Sequence, residues 1–203
     1  CSRTDAGVHA LMYCCNFRTA HCIPCERLIP ALNAHLPHDI AVYECREVAP
    51  AFHARYDCSG KEYVYRIWNS RVRNPFLEGR ALHYPWPLDA AYLDRQAQCF
   101  VGLHDFSAFC AAGGSVEDKV RTVRAAQVTR RGDDVFFAVE ADGFLYHMVR
   151  NIVWSLVQVG MGKRTVQDFA AELTAQRCEF LNEPAPAQGL YLAEVGYREY
   201  PQL

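Results

Sequence analysis

VRTVRAAQVTRRGDDVFFAVEA, residues 120–141, decides the fold. VRTVRAAQVTRR and VFFAVEA read as two strands around Gly132-Asp133-Asp134, a hairpin signal. Two strands joined by so short a turn pair antiparallel. Working outward, KEYVYRIWN (61–69) alternates Tyr63, Tyr65 and Ile67 against Glu62, Val64 and Arg66, which predicts a third strand. LYLAEVGY predicts a last one near the C-terminal end. VHALMYCCNF (8–17) and DIAVYECREVA (39–49) are apolar enough to be expected as strands as well.

Helical spacing fills the gaps. Leu28, Leu32 and Leu36 give it to 24–36, where Pro30 predicts a break or a short first turn. Residues 88–101 place Leu88, Tyr92, Ala97 and Phe100 on one side, with Asp89 at the start. FLYHMVRNIVWSLVQVG (144–160) is the longest helical pattern, closed by Gly160. A short helix is expected near 166–176. HDFSAFCAAGGS (104–115) reads as a loop hinged at Gly113 and Gly114. Antiparallel hairpins interleaved with helices predict an α+β fold, with the helices packed on one face of a mainly antiparallel sheet. Pro75, Pro85 and Pro87 mark a join near 71–87, which divides the chain into 1–75 and 76–203.

The 203 residues suffice for one large or two small domains, and half of them are hydrophobic, as in a globular chain. A formal net charge of −2 gives no overall sign of a nucleic-acid binder, so an anionic partner would require local basic clusters. The ten cysteines, including adjacent Cys14 and Cys15, do not form a disulfide framework and are expected as reduced thiols. Cys22 and Cys25 make one CxxC, with no second ligand pair at zinc spacing. No apolar run approaches the ~20 residues of a membrane span. The default compartment is the cytoplasm.

Three residues are candidates for chemistry. Asp5 in RTDAG is either an Asx-turn leading into a strand or a working carboxylate kept ionised by a cation such as Arg3. Tyr63 is either a cross-strand aromatic or a ring that stacks on a nucleobase, and Tyr65 shares its sheet face. Arg150 falls on one stripe with His147, Asn151 and Trp154, on a helix apolar around most of its surface. A buried arginine there needs an anion, either a carboxylate or a phosphate. Arg66, Arg71 and Arg73 around Trp68, and Arg121, Arg124, Arg130 and Arg131 on the hairpin, suit either RNA or ordinary surface charge.

Taken in order, the segments resemble the TruA family of tRNA pseudouridine synthases. RTDAGVHA (3–10) resembles the family's catalytic motif. NAHLPHDIAV (33–42), FHARYDCSGKEYVYRIWN (52–69), HDFSAF (104–109) and RTVRAAQV (121–128) resemble further family segments. DGFLYHMVRNIV (142–153) resembles the one carrying the active-site arginine, and GLYLAEVGY (189–197) the terminal strand. The resemblance implies the pseudouridine synthase fold of two ferredoxin-like halves, with the first incomplete, because family members carry more sequence ahead of this motif.

It also implies isomerisation of uridine to pseudouridine at positions 38, 39 and 40 of the tRNA anticodon arm, by a homodimer without metal or organic cofactor. In that reading Asp5 is the catalytic carboxylate and Arg150 its partner. Tyr63 stacks on the substrate, and Arg3 holds the flipped nucleotide or a phosphate. Trp154 departs from the family's usual glycine and is expected to alter helix packing or narrow the site. A catalytically inactive RNA-binding fragment is the alternative, and a metal-dependent hydrolase using Asp5, His9 and cysteines a remote third.

Overall fold

A computed structural model describes residues 1–113, 116–175 and 183–197. Among these, the N-terminal part forms β1 (His9–Ala10), α1 (Cys25–Asn33), β2 (Cys58–Trp68) and β3 (Leu82–His83). There follow α2 (Ala90–Ala97), β4 (Gly102–Asp105), β5 (Val120–Arg131) and β6 (Asp134–Ala141). The chain continues through α3 (Met148–Gly160), α4 (Val166–Ala175) and β7 (Leu190–Tyr197).

The 120–141 stretch is the expected hairpin, with β5 and β6 antiparallel from Arg131–Asp134 down to Val123–Ala141. β2 pairs antiparallel with β6 on one side and β7 on the other. The sheet runs β1-β7-β2-β6-β5-β4, and β3 pairs in parallel with the end of β2. Only β1–β7 and β2–β3 are parallel, so the sheet is mixed and mainly antiparallel. The fold is α+β.

Alternation decides which face is buried. Val135, Phe137, Val139 and Ala141 of β6 point inward with Tyr63, Tyr65 and Ile67 of β2, while their neighbours are partly exposed. α2 packs on β5, and α3 on α2. Asp89 caps α2 by accepting from the Tyr92 amide at 3.0 Å, satisfying one of the free N–H groups of the first turn. On α3, Met148, Val149, Ile152, Val153 and Leu156 are all buried; each such side chain contributes roughly 1.5–3 kcal/mol. Gly160 ends α3 at a close approach, since a β-carbon there would meet Leu88 Cδ2 at 2.6 Å. Trp154 is half-buried against the same core.

Several expectations are corrected. The 8–17 strand shrinks to His9–Ala10 because the Leu11 and Met12 amides both turn to the single Leu192 carbonyl, which ends the ladder. Residues 39–49 form no strand. Val42 gives its N–H and C=O to the Asn33 side chain instead, and Ile40 and Tyr43 stay exposed. An apolar run becomes a strand only with an edge to pair with. α1 continues through Pro30, contrary to the expected break, since it lies outside the core and water can reach the Glu26 carbonyl that proline leaves unpaired. It contributes no buried side chain.

α3 begins at Met148 rather than 144, because His147 has φ 59, which no right-handed helix accepts. The expected loop at 104 opens as the end of β4 followed by a 3-10 turn, Ser107–Phe109. Gly114 and Cys178 lie outside the described residues. The other nine cysteines are free thiols.

Candidate active site

Asp5 heads a tight turn. The Val8 amide donates to the Asp5 backbone carbonyl at 3.1 Å, and Gly7, at φ 82, takes the position that requires a left-handed residue. The turn therefore uses the main chain of Asp5 and frees its carboxylate. Flanking contacts hold the turn in place. The His9 ring stacks on Tyr191 at 4.7 Å, and the Cys1 backbone nitrogen donates to the Cys14 carbonyl at 2.6 Å.

The first turn of α3 meets that carboxylate. Arg150 donates from Nη1 to Asp5 Oδ2 at 2.8 Å and from Nε to the Ala185 carbonyl at 2.6 Å. His147 Nε2 lies 3.0 Å from the same Oδ2, and its ring stacks against Tyr146 at 3.9 Å. Of the two partners foreseen for Arg150, a carboxylate or a phosphate, the protein supplies the carboxylate. The pair is partly buried, with side-chain exposures of 13% for Arg150 and 25% for Asp5. Little water is left to screen it.

β2 supplies the third part. The Tyr63 hydroxyl lies 3.2 Å from Ser2 Oγ, and the ring packs edge-on to Phe144 at 5.1 Å. The pairing with β7 shifts register between Glu62 and Tyr63, an irregularity of the kind that re-aims side chains beside sites. Tyr65 is fully buried with its hydroxyl on the Pro186 carbonyl. Of the two tyrosines, Tyr63 is the one at the cleft.

Asp5, Tyr63, His147 and Arg150 line one cleft of about 360 Å³. Arg3 stands exposed on its wall, and Arg55, Lys61 and Lys119 complete a basic lining. Asp5 is its single carboxylate among the described residues. A chain of net charge −2 thus carries a locally cationic concavity, which focuses an attractive field on anions.

Burial shapes the protonation of this lining. It pushes the Lys61 ammonium below its usual range, with Arg55 adding to the effect and Cys58 opposing it. Burial also raises the Tyr63 phenol, against the bond from Ser2 and with help from the Asp5 charge. The His147 imidazole is lowered chiefly by burial and further by Arg150, while Asp5 pulls it the other way.

The structure joins Asp5, Arg150 and Tyr63 as expected, and puts Arg3 at the rim. The cation on Asp5 is Arg150, not Arg3. Three of the seven arginines in the two clusters are paired within the protein. Arg66 forks onto Asp134 at 2.7 and 2.9 Å, Arg124 pairs with Glu140, and Arg130 holds Asn69 Oδ1 and the Leu88 carbonyl. Trp68 donates to the Val72 carbonyl rather than presenting a free ring edge. Trp154 is not part of the cleft lining.

Sequence reasoning passed over His147, Arg55, Lys61 and Lys119 as site residues. Arg55 and Lys61 stand inside the FHARYDCSGKEYVYRIWN segment, eight and two residues before Tyr63.

Known proteins resemble this chain over most of its length. The family described as tRNA pseudouridine synthase matches residues 96–198. "tRNA pseudouridine synthase A" of Halalkalibacterium halodurans is 43% identical over 188 residues, covering 93% of this chain and 72% of the relative. The protein of that name from Acetivibrio thermocellus is 43% identical over 196 residues, covering 97% and 80%. The one from Moorella thermoacetica is 46% identical over 195 residues, covering 96% and 79%. With identity of 43–46% over more than nine-tenths of its length, the chain belongs to the tRNA pseudouridine synthase family.

Proposed function

We propose that the protein isomerises uridine to pseudouridine in tRNA, at positions 38, 39 and 40 of the anticodon arm, with Asp5 as its catalytic carboxylate. The observation that carries this reading is the Asp5–Arg150 pair at 2.8 Å in a basic cleft that also contains Tyr63. The uridine must leave the stack before its C1′–N1 bond is accessible, which costs a few kcal/mol. Tyr63 offsets part of that cost by packing on the flipped base. Arg3, Arg55, Lys61 and Lys119 meet the phosphates.

Asp5 then attacks the sugar or the ring, or removes a sugar proton. The C1′–N1 bond breaks, the uracil turns, and C5 bonds to C1′. C5 loses its proton and N1 gains one, so atoms balance without oxidant or cofactor. Arg150 holds the carboxylate in place at 2.8 Å. The walls of the cleft retain the detached uracil while it turns.

The same family reading carries a homodimer, a cytoplasmic location shared with the tRNA substrate, and two ferredoxin-like halves divided near residue 75. Among the described residues, no helix is long and apolar enough to cross a membrane. The test is tritium release from tRNA labelled at C5 of uridine. Release by the wild-type chain and its loss in Asp5→Ala support the proposal. Release that survives Asp5→Ala removes Asp5 from the chemistry, and binding without release favours an RNA-binding role.

A further inference from the structure

His147 is the one described non-glycine residue with positive φ, at 59°. A left-handed backbone is unfavourable for a residue that carries a β-carbon. Strain of this kind persists where the surroundings hold it, and it clusters at functional sites. Here it has a definite geometric result. It turns the imidazole back over the N-terminal turn, so that Nε2 comes to 3.0 Å from Asp5 Oδ2. Tyr146 covers the ring at 3.9 Å. The chain then enters α3, and three residues later Arg150 reaches the same oxygen.

Both contacts therefore fall on Oδ2. Oδ1 of Asp5 receives no hydrogen bond from the described residues. A carboxylate whose Oδ2 is bonded by Arg150 and abutted by the His147 ring from another direction cannot spin freely about its terminal bond. Resting on the function proposed above, we propose that His147 is a positioning residue which, together with Arg150, fixes Oδ2 of Asp5 and presents Oδ1 as the oxygen that reacts with the uridine.

With its proton on Nε2, the neutral imidazole would donate toward Oδ2 across the 3.0 Å contact. Asp5 and Arg150 are the charges that face it directly, and Arg3, Arg55, Lys61 and Lys119 surround the same cleft. Tyr63 and Cys110 are other titratable groups of the lining. A second proton on the ring would put an imidazolium against the carboxylate. The stronger ion pair draws electron density from Asp5 and weakens it as nucleophile or base. Activity should therefore fall on acidification as His147 protonates, below its ordinary value of 6.5.

The test is single-turnover tritium release from C5-labelled tRNA between about pH 5 and 8, with tRNA binding measured alongside. His147→Gly keeps the left-handed backbone and removes the ring. His147→Gln keeps an N–H donor that does not titrate. The expected result is a rate lowered roughly 10- to 100-fold in His147→Gly, since small misplacements of a reacting group carry losses of that order. Its tRNA affinity and circular dichroism should match the wild type. His147→Gln should recover most of the rate and shift the acid limb to lower pH. A wild-type rate in His147→Gly, or an unmoved acid limb in His147→Gln, overturns the positioning role alone. A wild-type chain that binds tRNA but releases no tritium overturns the functional reading and this inference with it.

Discussion

Arg150 reaches Asp5 across 145 residues of chain, and it is anchored at both edges of its guanidinium: Nη1 on Oδ2 and Nε on the Ala185 carbonyl. The Ala185 amide returns a bond to the Arg150 carbonyl at 3.2 Å. A side chain so tied cannot follow the carboxylate if it moves. The arginine sets where Asp5 stands, and the neutralised pair lets both charges remain away from bulk water.

Asp5→Ala should reduce isomerisation by roughly 10³-fold or more, as loss of a reacting group does. It should also cost about 1–3 kcal/mol of stability, because the Arg150 charge loses its acceptor. Arg150→Lys keeps the charge but has no planar fork to serve Asp5 and Ala185 together. Its rate should drop about tenfold with a smaller loss of stability. Tritium release and urea unfolding measure the two effects. An Asp5→Ala chain as stable as the wild type would show that the pair contributes nothing to the fold.

Tyr63→Phe removes only the hydroxyl that meets Ser2 Oγ at 3.2 Å, a loss of about 1 kcal/mol, and should leave the rate within a few-fold. Tyr63→Leu removes the ring itself, and with it stacking worth about 1–3 kcal/mol per base. The rate should fall by about tenfold or more. Comparable activity in the two variants would argue that the ring fills space and does not meet the base.

Lys61 takes part in no ion pair among the described residues, and burial holds its ammonium below the usual range. Lys61→Met should therefore be at least as stable as the wild type in thermal unfolding. It should bind tRNA more weakly and lower the salt dependence of binding by about one phosphate contact. An unchanged salt slope would remove Lys61 from the RNA interface.

His147 also ties stability to pH. Its folded-state value lies below the 6.5 of the free side chain, so in that window the unfolded chain binds more protons than the folded one. Stability then rises with pH, and it is lost as pH falls from 6.5 through the folded-state value. Urea midpoints at about pH 7.5 and 5.5 should differ more for the wild type than for His147→Gln. An equal difference in both would assign the acid sensitivity to other groups.

Particular residues show why some of this was legible in the sequence and some was not. Tyr63, Tyr65 and Ile67 announce β2 because a two-residue period admits one buried face. The apolar surround of Arg150 implied a buried cation in need of an anion, and Asp5 supplies it. Segment 39–49 misled because its composition suits a strand while its hydrogen-bonding partner is the Asn33 side chain. His147 falls in a helical stripe by spacing alone, and local spacing gives no sign of its positive φ. Arg66 and Arg130 looked available for RNA because their acceptors lie far along the chain.

The order of the sheet bears on when the site can exist at all. β1, which carries the Asp5 turn, is bonded to the sheet through β7, and β7 comes last in the sequence. As the polypeptide leaves the ribosome, β2, β5, β6 and α3 can all assemble while the Asp5 turn still lacks its seat. Residues 190–197 lie between β1 and β2 in the sheet, so a chain that stops short of residue 190 lacks the strand to which the Asp5 turn is bonded.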